Sequence, residues 1–444
     1  MSNTVTSTYI DLATKDELEK YLYEGRTAVT YFVRCVRKST WFSQVPIVLQ
    51  HDGGTPDFRS DAFAVKVSRG GDYLDQLWVR LRTPEVEVRT DFQGTVQWTA
   101  KFMHNLFRNI KITFNDLPVQ EFDNYWLDFW SAFTVPESKQ VGYLNMIGDF
   151  ADFTDPRSAG DTIPSFILNL PLPFWFTRGN RNSSTTNGTG IALPAGALLF
   201  NETRIVFDIK DWRQLLQVIN SDGTPGQFDA ALVSQDLHLR DFQVWANYAV
   251  VSNDERDKMG KCPRDMVIEQ VQKNSARTFV AQQGFNNSFD LRFSHGIKAL
   301  FWAVRNTSYE SLWSNYTTAP QVTPESDPLD TTSLLYENTF RLHTMGSDFF
   351  SFVQPWYHFT RIPTETGYHA YSYAIWPEGL DPTGSTNYGV LTNVSIQVTP
   401  SQEAILAASN PQDETIPATF SFIIRVLNWN VIRMVGGAVG LPVL

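Results

Sequence analysis

Ile110-Lys111-Ile112-Thr113-Phe114-Asn115-Asp116 is the stretch on which the fold turns. Apolar and polar residues alternate for five positions, and two turn formers follow. In a strand, successive side chains point to opposite faces. This run therefore buries Ile110, Ile112 and Phe114 and sends Lys111 and Thr113 the other way. The same period appears at 63–67 (FAVKV) and 77–81 (LWVRL), and in a charge-mixed form at 30–37 (TYFVRCVR). Further strands are expected at 204–209, 238–251, 266–271, 300–305, 394–398 and 420–431. Residues 10–25 read as one short helix, with Thr14 and Glu17 at capping-box spacing and Gly25 as the stop. Helical periodicity is otherwise rare, so the fold class is all-β with short helices in the connections.

Working outward, the turn-rich stretch 220–227 (NSDGTPGQ) divides the chain. The expected layout is an N-terminal arm and helix at 1–25, a first β domain at 26–220 and a second at 221–444. The halves echo each other. Leu199 and Asn201 lie 192 residues before Leu391 and Asn393, each pair ahead of a strand. Aromatic clusters at 125–130 and 349–353 also precede the late strands of each half. Two similar β-sandwiches in tandem follow from this echo.

The 444 residues are 42% hydrophobic and 14% aromatic, enough apolar surface for large cores and incompatible with a disordered chain. A net charge of −11 argues against a generic nucleic-acid binder, which needs clustered Lys and Arg to displace phosphate counterions. The N-terminus lacks the basic start and apolar run of a signal peptide, and no segment is apolar enough to span a bilayer. A soluble protein made in a reducing compartment is expected. Cys35 and Cys262 are too few for a disulfide scaffold and read as free buried thiols, with a single bridge between them as the alternative.

Catalytic patterns are thin. There is no phosphate-binding P-loop, no paired-histidine zinc motif and no G-x-S-x-G elbow, so no cofactor and no enzymatic activity is expected. Glu85 and Glu87 could share one strand face, but Pro84 and Arg89 mark a solvated strand end. Ser294 and His295 are adjacent and would point apart on a strand. Two segments remain as candidate contact sites. The basic cluster Arg34, Arg37 and Lys38 suits either a solvated strand face or an anionic partner. The 177–190 stretch (TRGNRNSSTTNGTG), with Arg178, Asn180, Asn182 and Asn187, has the composition of an exposed tower. Two of its asparagines belong to a set of seven N-x-[ST] sequons, which an Asn/Ser/Thr-rich chain produces by accident.

Longer segments carry a resemblance. RKSTWFSQVP (37–46), SRGGDYL (68–74), MHNLFRNIKITFND (103–116), GYLNMIG (142–148) and LPLPFWFTR (170–178) stand in order in the first half. RDMVIEQVQ (264–272), RFSHGIKAL (292–300), YENTFRL (336–342) and PWYHFTRIP (355–363) follow in the second. In these segments the chain resembles the major capsid proteins of large icosahedral double-stranded DNA viruses, iridoviruses among them. The resemblance implies two tandem eight-stranded jelly rolls, that is, a double jelly roll. It also implies a structural role: a homotrimeric, pseudo-hexagonal capsomer that tiles the virion shell after assembly in the host cytoplasm. The implied partners are the chain itself, neighbouring capsomers, minor capsid proteins and an internal viral membrane, with no sequence-specific nucleic acid. The basic cluster would then face inward, and the polar tower would face outward near the connection between the fifth and sixth strands. Aromatics at 346–359 would fill copy–copy contacts. Two other readings fit the residues: a carbohydrate-binding or carbohydrate-active jelly-roll protein, and a membrane-templating scaffold of the same fold.

Overall fold

The alternating segments become strands. In the computed structural model the first half contains β1 (Phe42–Val48), β2 (Phe63–Lys66), β3 (Tyr73–Arg82), β4 (Phe107–Phe114), β5 (Leu117–Phe122), β6 (Ile167–Pro171), β7 (Thr203–Ile209) and β8 (Arg240–Val251). The second half contains β9 (Arg264–Lys273), β10 (Asn287–Asp290), β11 (Gly296–Asn306), β12 (Leu329–Tyr336), β13 (Thr339–Gly346), β14 (His369–Ser372), β15 (Val394–Pro400) and β16 (Phe420–Val435). The structure describes residues 2–33, 38–178, 191–221, 226, 237–261, 263–284, 286–308, 311–318, 326–409 and 419–441.

Sheet order shows the repeat. The first half forms one sheet in the order β1-β8-β3-β6 and another containing β2-β7-β4-β5. The second half forms β9-β16-β11-β14 and β10-β15-β12-β13. Adding eight to each label of the first pair gives the second pair. All pairings are antiparallel, with four strands of each roll in each of two facing sheets, which is the jelly-roll arrangement. Both rolls turn from their fourth to their fifth strand through two left-handed residues. These are Asn115 and Asp116 (φ 47° and 65°) in one, and Glu337 and Asn338 (φ 49° and 64°) in the other.

These hairpins explain the echo at 199–201 and 391–393. Asn115 Oδ1 accepts from the Glu202 N–H at 2.7 Å, and Glu337 Oε1 accepts from the Thr392 N–H at 2.7 Å. In each roll the turn is latched onto the residues that lead into the seventh strand.

The expected domain break is corrected. Strand β8 lies beyond 220–227, yet it pairs with both β1 and β3 of the first roll. A turn-rich stretch marks a connection, not the end of a sheet. The eighth strand of a jelly roll must come back to lie beside its first, so the first roll runs through Val251.

Residues Met1–Trp41 form a separate unit. One helix was expected at 10–25. Two are present, α1 (Ser2–Ala13) and α2 (Glu17–Tyr23). The capping box is Asp16 with Glu19, not Thr14 with Glu17. The Asp16 carboxylate accepts from Leu18 N–H at 2.8 Å, and the Glu19 carboxylate accepts from Asp16 N–H. Thr14 instead donates to the Asp11 carbonyl. The strand expected at 30–37 is replaced by bends at 31–33; Arg34, Cys35 and Arg37 lie outside the described residues.

Helices missed by the sequence reading sit between β5 and β6: α3 (Asn124–Thr134) and α4 (Glu137–Ile147). The corresponding connection of the second roll carries a π-helical turn (Phe349–Val353) running into α5 (Gln354–His358). No helix among the described residues is long and apolar enough to cross a membrane.

Candidate functional site

The seam between the rolls is built by α3. Its Trp126, Phe129, Trp130 and Phe133 recur at i, i+3, i+4 and i+7, which places them on one helical face. That face packs on the second roll. Trp126 meets Phe301 edge-on at 5.4 Å, Phe133 meets Phe301 at 5.5 Å, and Phe129 meets Tyr316 at 5.6 Å. Strand β11 is therefore buried on both sides. Ala299, Phe301 and Ala303 join the core shared with the first roll, and Leu300, Trp302 and Val304 fill the second roll's own interior.

Charges pin this seam. Asp123 caps α3 by accepting from Trp126 N–H at 3.0 Å, and its two oxygens sit 3.1 and 3.0 Å from Arg425 Nε on β16. Burial alone would push the Asp123 carboxyl up, but the Arg425 charge and hydrogen bonds hold it below its ordinary value. Lys101 lies 3.0 Å from Asp128 and 2.7 Å from Glu365, while Tyr316 and Tyr368 donate to the same Asp128. Burial works against the Lys101 ammonium, yet Asp128, Glu365 and Asp149 hold its pKa well above the usual lysine range. At the strand edges, Gln270 of β9 donates to the Val119 carbonyl of β5 at 2.7 Å, and Lys273 pairs with Glu121 at 3.1 Å. Such an arrangement holds two rolls at a set angle, because removing either member of a buried pair strands the other.

Arg178 belongs to this seam and corrects the tower reading. Its side chain is 7% exposed, meets Glu269 of β9 and lies over the Trp130 ring at 4.3 Å. Glu269 also takes Lys298 of β11. A guanidinium with a flat apolar face can stack on an indole and still pair with a carboxylate, so this arginine is held inside the seam instead of standing in solvent. The 177–190 stretch joins β6 to β7, one connection later than expected. Asn180, Asn182 and Asn187 lie outside the described residues, as does Cys262. Lys38 is exposed in the N-terminal unit.

The weaker catalytic candidates are placed as follows. Glu85 and Glu87 are exposed on either side of buried Val86. Ser294 pairs with Gln272, and His295 takes a left-handed φ of 65° with its carbonyl accepting from Tyr388 N–H. A further group was not foreseen. His369 Nε2 is 2.6 Å from Ser347 Oγ and 2.9 Å from Asp327 Oδ2, with the ring stacked on Trp302. A hydrolytic triad needs serine and carboxylate on opposite ring nitrogens. Here both share one nitrogen, so the group ties three segments together. Among the described residues no cluster of His, Cys, Asp and Glu could hold a metal ion.

One surface stands out. In the 346–359 segment Phe350 is buried against Trp302 at 4.9 Å, but Phe352, Trp356 and Tyr357 point outward at 56%, 71% and 73% exposure. Exposed Ile375 and Trp376 adjoin them, since His358 Nδ1 reaches the Ile375 carbonyl at 3.1 Å. Soluble monomers rarely expose a contiguous apolar patch of this kind.

Comparison with known proteins agrees with this geometry. The family model for the N-terminus of major capsid proteins matches residues 30–251, and that for the large eukaryotic DNA virus major capsid protein matches 255–440. The two matches meet where β8 ends. The major capsid protein of Costelytra zealandica iridescent virus is 46% identical, over 100% of this chain and 99% of that protein. That of Lymphocystis disease virus 1 is 42% identical over the same shares. Among solved structures, PBCV-1 VP54 matches with a TM-score of 0.72 at 20% identity, covering 94% of this chain and 100% of the other. The Faustovirus major capsid protein matches with 0.69 at 12% identity, covering 94% of each chain. These two support the double jelly-roll fold, and the full-length identity supports kinship. This chain belongs to the major capsid proteins of large eukaryotic DNA viruses, structural components of the virion shell that assemble with other capsid components.

Proposed function

We propose that three copies of the chain close into a ring, so that six jelly rolls make a pseudo-hexagonal capsomer that tiles an icosahedral shell. The observation that supports this reading is the repeated strand order: two equivalent rolls per chain, taken three times, give six nearly equivalent units. Cyclic contacts are heterologous, one patch meeting a different patch, and the ring closes by rotation. The role is architectural, with no reaction assigned to the chain. Light scattering of the purified full-length chain at micromolar concentration should give three times the chain mass, with six-lobed particles in negative stain. A stable folded monomer would overturn the trimer.

Arg34, Arg37 and Lys38 are the candidate inner-face contacts, for minor capsid proteins or the anionic head groups of an internal membrane. Charge reversal at these three positions should abolish such binding. Asn180, Asn182 and Asn187 remain the candidate exposed tower, and deletion of 180–189 should leave the oligomer intact.

A further inference from the structure

Two edges of the molecule have equivalents inside the same chain, and those equivalents touch each other. Strand β5 of the first roll lies against β9 of the second, through Gln270 to the Val119 carbonyl and Lys273 to Glu121. Their counterparts in the repeat are β13 and β1. Both are left bare: β1 is exposed at every position except half-buried Ile47, and β13 is mostly exposed. The same holds for the elements that follow. Helix α3, just after β5, covers the outer face of the second roll's β11 and β16. The π turn and α5, just after β13, bury Phe350 against Trp302 of their own roll and present Phe352, Trp356 and Tyr357 to solvent.

The matching outer face of the first roll is only half buried among the described residues. It carries Trp78 of β3 and Trp245 of β8, cross-strand neighbours stacked at 5.9 Å and only half buried. A cavity of about 650 Å³ opens beside Trp78, walled by Trp130, Met146, Asn169 and Pro171. A cavity of ~150 Å³ holds a benzene ring, so this one has room for several aromatic side chains.

We infer that the contact between successive copies repeats the seam within one chain: β13 of one copy lies along β1 of the next, and its Trp356 and Tyr357 enter the Trp78–Trp245 face and its cavity. The occupant is a second copy because the chain itself shows that a strand in the β5/β13 position fits one in the β1/β9 position. A ring of such contacts leaves no roll edge of either kind unpartnered. The inference rests on the trimer reading and adds which surfaces meet.

The test is the oligomer equilibrium of the full chain by sedimentation, with folding checked by circular dichroism. Trp356→Glu should raise the dissociation constant at least ~30-fold, as loss of a buried aromatic anchor does. Trp78→Glu should do the same. Asn169→Arg, which fills the cavity mouth from a half-buried position, serves if Trp78→Glu does not fold. Val141→Glu, an exposed apolar position on α4, should change nothing. If the wild type is trimeric and Trp356→Glu leaves the equilibrium unmoved, this pairing is wrong while the trimer stands. Loss at Trp356 with no loss at either acceptor position would overturn the acceptor. A monomeric wild type would remove the trimer reading itself.

Discussion

Strands β3 and β11 occupy the same place in their rolls, yet their burial differs. Along β3 the buried residues Leu74, Leu77, Val79 and Leu81 alternate with half-exposed ones. In β11 everything after Gly296 is buried. The cause lies outside either sheet. Helix α3 covers β11, whereas the outer side chains of β3, Trp78 and Arg80 among them, stay half-exposed. A repeated topology thus carries two kinds of sheet, one with a single buried face and one with two. A strand buried on both faces loses its alternation and reads as a continuous apolar run.

The comparison can be broken at its most heavily pinned point. Asp123→Ala removes the α3 cap and leaves Arg425 buried without its carboxylate. It should lower the unfolding free energy by about 3–5 kcal/mol in chemical denaturation. The double change Asp123→Asn with Arg425→Met should recover most of that loss, because no charge is then stranded. The two faces can next be set against each other. Phe301→Ala opens a cavity between two cores and should cost about 3–5 kcal/mol. Trp78→Ala, half in water and stacked on one neighbour, should cost about 1 kcal/mol within a single chain.

The first roll's helices should also bring a pH dependence. His104 is buried beside Lys101, with Nε2 2.7 Å from the Tyr143 hydroxyl. Burial first, and the Lys101 charge second, bring its pKa down to about 3. The folded chain therefore keeps this ring neutral while the unfolded chain protonates it below its ordinary 6.5. Stability is lost as the pH falls from 6.5 towards 3, by about 3 kcal/mol from this residue at pH 4. The difference between wild type and His104→Gln across a pH series of denaturation curves measures it, and parallel curves would remove the assignment. A last pair of changes concerns the shared hairpins. Asn115→Ala and Glu337→Ala should each cost about 1–2 kcal/mol, since each unlatches one turn from the segment before the seventh strand. Similar losses in both rolls would show that the latch is equivalent.

Strand positions were readable wherever one face is wet, as at β4 and β7, because alternation is then imposed by water. The long runs in β11 and β16 were also found, through their β-branched and aromatic content. Helix α3 was missed although its signal was present: Asp123 as cap, then aromatics at 126, 129, 130 and 133. The cluster was read as composition when its spacing was helical. Arg178 was misplaced for a different reason. It adjoins a polar loop, and nothing local announces that Glu269 and Trp130 wait for it.

The sequence alone determined the all-β class, the tandem repeat, the kinship and the shell-building role, since alternation, echo and long ordered matches are properties of the chain. Tertiary structure decided which half owns β8, which charges are buried, and which aromatics are core and which are rim. Those outcomes depend on contacts between residues up to hundreds of positions apart, such as Asp123 with Arg425, where burial is set by what folds over a side chain and not by its neighbours in sequence.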